Sequence, residues 1–434
     1  MLKPNRIQDL SRNEQGLILS LDIGCLLIRP HSKHAVRISM QFGDEIPLHY
    51  AQPNADVESI AYLIQDWPTE MTPGLVEGDQ LSLPLGEYQL TLNQNPLYFS
   101  LTRNGKVIYQ DLPRRAFVLD NNQRRWHYHQ RQDQDLYYGL GEKTGRLERS
   151  GRRFRMNNVD AVGYDPSCGD PLYKHIPFFV RYRPSDKHCI GIYYHNAHQC
   201  EFDIGSERSG YWGEYASYCV DGGQVDYILM FAQQPHQVLQ EYLSITGFSA
   251  MPTKSSLGYM GSTMYYTELA RDADQTVLGF VDECRKQSIP LSGFHLSSGY
   301  TKGVDGKRYT FNWNTHNFAD PDGFIKQMAE KQQVLSPNVK PGLLTTHLLW
   351  TEFDQANAFI RTYDGHASKV EKFWGGDASF VDFSNPTARS LWSKYLRRSL
   401  IDKGVVSIWN DNNEFEMDGD AICDGDGQSQ PASS

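Results

Sequence analysis

The stretch Gly404-Val405-Val406-Ser407-Ile408-Trp409-Asn410-Asp411-Asn412-Asn413-Glu414 decides how this chain is read. An apolar run stops abruptly at Trp, Asn, Asp and Glu, as a buried parallel strand does when it delivers polar groups to its carboxyl end. In α/β barrels that end carries the chemistry. Asp411 is therefore the first catalytic candidate, and Trp409 before it is either an apolar wall of the same site or a core side chain. Asp is also favoured as a helix N-cap, so a capping role for Asp411 stands beside the catalytic one.

Working outward, the sequence after about residue 252 alternates short apolar runs with longer helical patterns. Strands are expected at 257–264, 291–296, 341–348 and 405–409, and helices at 273–287, 321–332 and 386–403. Such alternation means a parallel sheet. Four strands are half of an eight-fold barrel, which takes roughly 250 residues. Residues 246–434 are accordingly expected to hold the N-terminal half of a (β/α)8 TIM barrel, incomplete and truncated. The tail 424–434 is polar and Gly-rich and reads as a solvated loop. The spacing of Asp418, Asp420, Asp424 and Asp426 does not fit a calcium loop.

Residues 1–245 have a different texture. Short period-two runs such as Leu17-Ile18-Leu19-Ser20-Leu21 and Tyr88-Gln89-Leu90-Thr91-Leu92, punctuated by turns such as Asn104-Gly105, predict an N-terminal antiparallel β-sandwich. A helix at 235–245 is expected to bridge to the barrel. The net charge of -10, with no long basic run, argues against nucleic acid and suits a neutral solute. Twenty-five Tyr, twenty Phe and eight Trp suit stacking on sugar rings, or simply a Tyr-rich β domain. Seven widely spaced cysteines make neither a metal pair nor a disulfide framework and read as reduced and buried. The start lacks the apolar core of a signal peptide, and no run is long enough to span a bilayer. A cytoplasmic enzyme without metal or cofactor and without a membrane partner is the expectation; the oligomeric state is left open.

Four groups of residues, in order, resemble glycoside hydrolase family 31. Tyr138-Gly139-Leu140-Gly141-Glu142, with Asn158, Asp160, Tyr164, Leu172-Tyr173 and Ile176-Pro177-Phe178, is similar to the end of its N-terminal, galactose-mutarotase-like β domain. Thr246-Gly247-Phe248 through Leu257-Gly258-Tyr259 resembles the entry to its barrel. Phe373-Trp374-Gly375-Gly376, then Asp382-Phe383-Ser384-Asn385-Pro386 and Trp392, resembles the loop and helix before its nucleophile strand. Trp409-Asn410-Asp411-Asn412-Asn413-Glu414 is similar to the nucleophile motif itself. Within these groups there are two departures: Gly375 replaces the usual Pro, and Asn412 the usual Met.

The resemblance implies a retaining α-glycosidase, α-glucosidase-like, in which Asp411 forms a covalent glycosyl-enzyme with an oligosaccharide or small α-glycoside. Retaining cleavage needs two carboxyl groups about 5–5.5 Å apart. The family's acid/base Asp is expected beyond the end of this chain, because Glu414 corresponds to a supporting residue and Asp377 is a poor substitute. Trp374 corresponds to a residue lining the sugar pocket, and Asp160 to one reaching toward the leaving-group sugar, with an Asx turn as its alternative. Ser297, in His295-Leu296-Ser297-Ser298, stands where the family holds sugar hydroxyls with an Asp, so the sugar and linkage are not fixed. His347, on the expected third strand, carries no role. The competing expectation is a non-hydrolytic carbohydrate-binding or pseudoenzyme product.

Overall fold

In the first part of the chain, burial follows the period-two pattern: Leu17, Leu19 and Leu21 are buried while Ile18 and Ser20 are not. The computed structural model describes residues 1–13, 16–43, 74–77, 80–415, 417, 421–423 and 430–431. Chain contacts divide it into two units, Met1–Phe248 and Ser249–Ser433. The first unit is an eight-stranded sheet and two five-stranded sheets. Their inward side chains, among them Leu19, Ile38, Leu90, Phe99, Phe154 and Phe202, form one buried cluster, so the unit is a β-sandwich. Each large apolar side chain fully buried this way contributes about 1.5–3 kcal/mol.

Helix Pro235–Thr246 begins with Pro at its first turn and packs on the outer face of the eight-stranded sheet. Val238 is buried there, and the Tyr242 ring stacks on Phe178 at 4.0 Å. The helix anticipated as a bridge is thus seated on the first unit's own sheet.

The sandwich interior also holds a polar cluster. Asp111 is fully buried; its Oδ1 accepts from the Tyr109 hydroxyl at 2.6 Å and faces His127 Nε2 at 3.0 Å, and its Oδ2 accepts from Phe99 N–H at 2.8 Å. His127 Nδ1 continues the chain to the Tyr194 hydroxyl at 2.8 Å.

The second unit carries a parallel sheet in simple order: Met260–Ser262, Gly293–Leu296, Val334–Val339 and Trp409–Asn410. Helices Ala273–Lys286, Pro321–Glu330 and Pro386–Ser399 lie between successive strands, as α/β alternation requires. Asp320 and Asn385 cap the latter two, each followed by Pro at the first helical position. The first strand is shorter than the anticipated 257–264, because Lys254–Leu257 forms a 3-10 turn and Met264–Thr267 a short helix.

The third strand is a correction. It runs Val334–Val339, not 341–348. Pro337 lies within the strand, pairing in register with Leu296. Beyond Pro341 the chain turns away, and Gly342–Leu344 joins Gly376–Phe380 and Glu371–Phe373 in a three-stranded antiparallel sheet. His347 is therefore not on the third barrel strand; it lies past this segment, its Nε2 2.8 Å from the Thr310 carbonyl.

The parallel sheet has two unlike faces. Phe294, Leu296, Leu335 and Val339 pack with Val277, Phe324 and Met328 of the helices. On the other face the register places Ser262, His295 and Ser336 side by side, with Asn338 beside Trp409. That face thus carries hydroxyl, imidazole and amide groups and the Trp409 indole. Of the tail expected as a loop, Asp418, Asp420, Asp424 and Asp426 lie outside the described residues, while Gln430–Pro431 pairs antiparallel with Ala421–Cys423.

Candidate active site

Asp411 follows the fourth strand directly, and its backbone N–H donates to the Val339 carbonyl at 3.0 Å, which ties it to the end of the third strand. Period-two alternation from Trp409 points its side chain to the polar face. There Asp411 Oδ2 accepts from Asn338 Nδ2 at 2.6 Å and from Lys340 Nζ at 2.8 Å. Among the described residues no hydrogen bond reaches Oδ1. The carboxylate is a quarter exposed, so one oxygen is held and the other is accessible. Asp411 opens no regular helix among the described residues, which leaves the capping alternative without a helix to cap.

Lys340 and Asn338 were missed in the sequence. Both sit at the carboxyl end of the true third strand, two residues apart and hence on one face. The signal was present: an apolar run ending Asn338-Val339-Lys340 before Pro341. Lys340 Nζ also hydrogen-bonds Asn412 Oδ1 and lies 5.8 Å from the Phe373 ring centre and 5.9 Å from that of Trp374. Its charge is thus accommodated by a carboxylate, an amide oxygen and two aromatic faces.

Trp374 sits at the tip of a two-residue hairpin, Phe373 pairing with Gly376, rather than in an irregular loop. It is 63% exposed, open to a flat ligand. Gly375 explains the absence of a side chain behind it: a Cβ there would lie 2.9 Å from Leu344 Cδ1. Gly376 takes φ +134°, as the turn demands.

Ser297 follows the second strand and is buried at the start of the 3-10 turn Ser298–Thr301. Trp409 is half-buried on the polar face, edge-on to His295 at 5.7 Å. Burial holds the His295 imidazole below its ordinary range, and its Nδ1 has no hydrogen-bond partner among the described residues. Glu414 is half-buried three residues past Asp411. Asp377 pairs with Lys372 on the hairpin, with both side chains exposed, and is not joined to Asp411. Asp160 belongs to the first unit, where it is exposed and accepts from the Tyr173 hydroxyl at 3.2 Å. The structure therefore brings together Asp411, Asn338, Lys340, Asn412 and Trp374 by direct contact, and Trp409 with His295 on the same face. No cluster of His, Cys, Asp and Glu suited to a metal occurs among the described residues.

Comparison with known proteins bears on this arrangement. Residues 249–433 match the glycosyl hydrolases family 31 TIM-barrel domain, and 29–203 match the glycosyl hydrolase 31 N-terminal galactose mutarotase-like domain. An α-glucosidase of Bacillus thermoamyloliquefaciens is 29% identical over 68% of this chain and 36% of its own length. An α-xylosidase of Lactiplantibacillus pentosus is 25% identical over 77% of this chain and 42% of its own. A family 31 dextranase of Flavobacterium johnsoniae, solved in complex with isomaltotriose, shares the fold at a TM-score of 0.82 and 23% identity, over 94% of this chain and 48% of that one. The chain thus spans less than half the length of each of these relatives.

Proposed function

Because the chain belongs to glycoside hydrolase family 31, we propose that it carries the nucleophile portion of a retaining α-glycosidase acting on terminal α-linked sugars. Asp411 attacks the anomeric carbon and holds the sugar as an ester until water releases it. The observation that supports this most is the split of the Asp411 carboxylate at the strand end, with Oδ2 held by Asn338 and Lys340 and Oδ1 uncommitted among the described residues. Trp374 offers a stacking surface for the sugar, Trp409 walls the pocket, and Ser297 gives a neutral hydroxyl in place of a charged grip, so the hydroxyl pattern of the sugar is less strictly read. Glu414 supports the site. The protonated carboxyl that assists departure is a second acid still to be identified.

The test is covalent trapping. An activated 5-fluoroglycosyl fluoride, whose fluoride departs with little need of protonation, is incubated with this chain; one fluoroglycosyl group per chain is expected, mapping to the peptide that contains Asp411. Sugar binding without any adduct would favour the non-hydrolytic reading. We also propose a reducing, cytoplasmic setting, supported by seven cysteines of which five are buried and none is in a disulfide; recovery of the native protein from a secreted or vesicular fraction would contradict it.

A further inference from the structure

Lys340 stands in an unusual relation to a nucleophile. Its ammonium lies 2.8 Å from Asp411 Oδ2, and the Lys340 side chain is only 12% exposed. A cation there stabilises the free carboxylate more than it stabilises a neutral ester, since the pairing energy scales with the charge on the oxygen. It also fixes which oxygen is spent on hydrogen bonding, because Asn338 and Lys340 both donate to Oδ2. The ammonium is itself held. Asn412 accepts from it, in a left-handed conformation (φ +52°) that Asn tolerates better than most residues, and the Phe373 and Trp374 rings flank it. Asn412 replaces the Met of the resembled motif, so that departure supplies the second acceptor for this lysine.

We propose that Lys340, seated by Asn412, is a positioning residue that directs attack through Asp411 Oδ1 and speeds release of the sugar from the covalent intermediate. The inference rests on Asp411 as nucleophile. In the first step Oδ1 forms a bond to the anomeric carbon while the bond to the leaving group breaks, its electron pair departing with fluoride in the trapping reagent. In the second step water bonds to the anomeric carbon, the bond to Oδ1 breaks with its electron pair returning to the carboxylate, and the attacking water loses its proton to bulk solvent. Charge that reappears on the carboxylate in this second step is delocalised onto Oδ2, where the ammonium waits.

The experiment measures two rate constants on the 434-residue chain with the 5-fluoroglycosyl fluoride: formation of the adduct, and its loss after excess reagent is removed. Lys340→Met should slow loss of the adduct by about two- to fivefold, the scale of a partly exposed ion pair, with a smaller change in its formation, so that the adduct accumulates. Lys340→Arg should recover part of the release rate. A release rate equal to wild type, or formation reduced as much as release, would overturn the proposal, since a side chain that merely kept the strand end in order would depress both steps together. Should the methionine variant not fold, Lys340→Gln keeps one donor without the charge and is held to the same two outcomes. No adduct on the wild-type chain would overturn the nucleophile assignment along with this inference; a wild-type adduct with an unchanged ratio of rates overturns this inference alone.

Discussion

Two aspartates in this chain show how the same side chain is used in opposite ways. Asp111, in the sandwich, is fully buried and spends both oxygens, on Tyr109 and His127 through one and on the Phe99 N–H through the other. Asp411, at the end of a parallel strand, is partly exposed and concentrates its partners on a single oxygen. A carboxylate whose lone pairs are all matched holds a fold together. One left half-matched and open to solvent is available to a ligand. Burial separates the two, and so does the distribution of donors over the two oxygens.

The contrast predicts unequal responses to mutation. The largest is Asp111→Ala, which strands an N–H, a hydroxyl and an imidazole in a dry core. Loss of one partner from such a buried set is expected to cost about 3–5 kcal/mol. Urea unfolding followed by tryptophan fluorescence measures it, and a loss under about 1 kcal/mol would show that Asp111 is no more structural than Asp411.

Acid is the next way to probe the sandwich. Burial lowers His188 from 6.5 to about 4, assisted by Arg103 and Arg181, and burial likewise lowers His175 to about 4. In the folded chain these rings stay neutral, while in the unfolded chain they take up protons near pH 6.5. Between about pH 6.5 and 4 the unfolded state therefore binds more protons, and stability is lost as pH falls through that window; above it the contribution is constant. Urea midpoints at pH 7, 5.5 and 4.5 should decline in that order, and His188→Gln should flatten the slope. Midpoints that rise on acidification would refute the assignment.

Asp411→Asn should move stability by no more than about 1 kcal/mol, because its ion pair is partly open to water, yet it should abolish the fluoroglycosyl adduct. An adduct persisting on this variant would remove Asp411 from the chemistry. The smallest effect is that of Trp374→Ala. An exposed hairpin tip contributes within about 0.5 kcal/mol to folding, whereas loss of an aromatic platform should weaken sugar binding several-fold, read by titration with an isomalto- or malto-oligosaccharide. Equal losses of stability and of binding would make Trp374 a structural residue.

The sandwich and the parallel sheet were legible because their patterns are local. Leu17-Ile18-Leu19-Ser20-Leu21 states its own period, and helices 273–286 and 321–330 announce themselves by apolar spacing and, for the second, by Asp320-Pro321. The third strand was misplaced because Val334-Leu335-Ser336-Pro337-Asn338-Val339 interleaves polar residues and a proline, which looks like a turn until a second surface is known. That misplacement hid Asn338 and Lys340, the two donors on Asp411.

By itself, then, the sequence determined that an acid follows an apolar run, since hydrophobic patterning is written residue by residue along the chain. The strand itself is shorter than the expected 405–409, only Trp409–Asn410, and Val406 is exposed. Which oxygen of that acid is held, and by what, was decided only in three dimensions. Lys340 and Asp411 lie on different strands, and only the register that sets Val339 beside Asn410 brings ammonium and carboxylate to 2.8 Å. Register is a property of two strands and the helices that pack behind them, and no single stretch of sequence contains it.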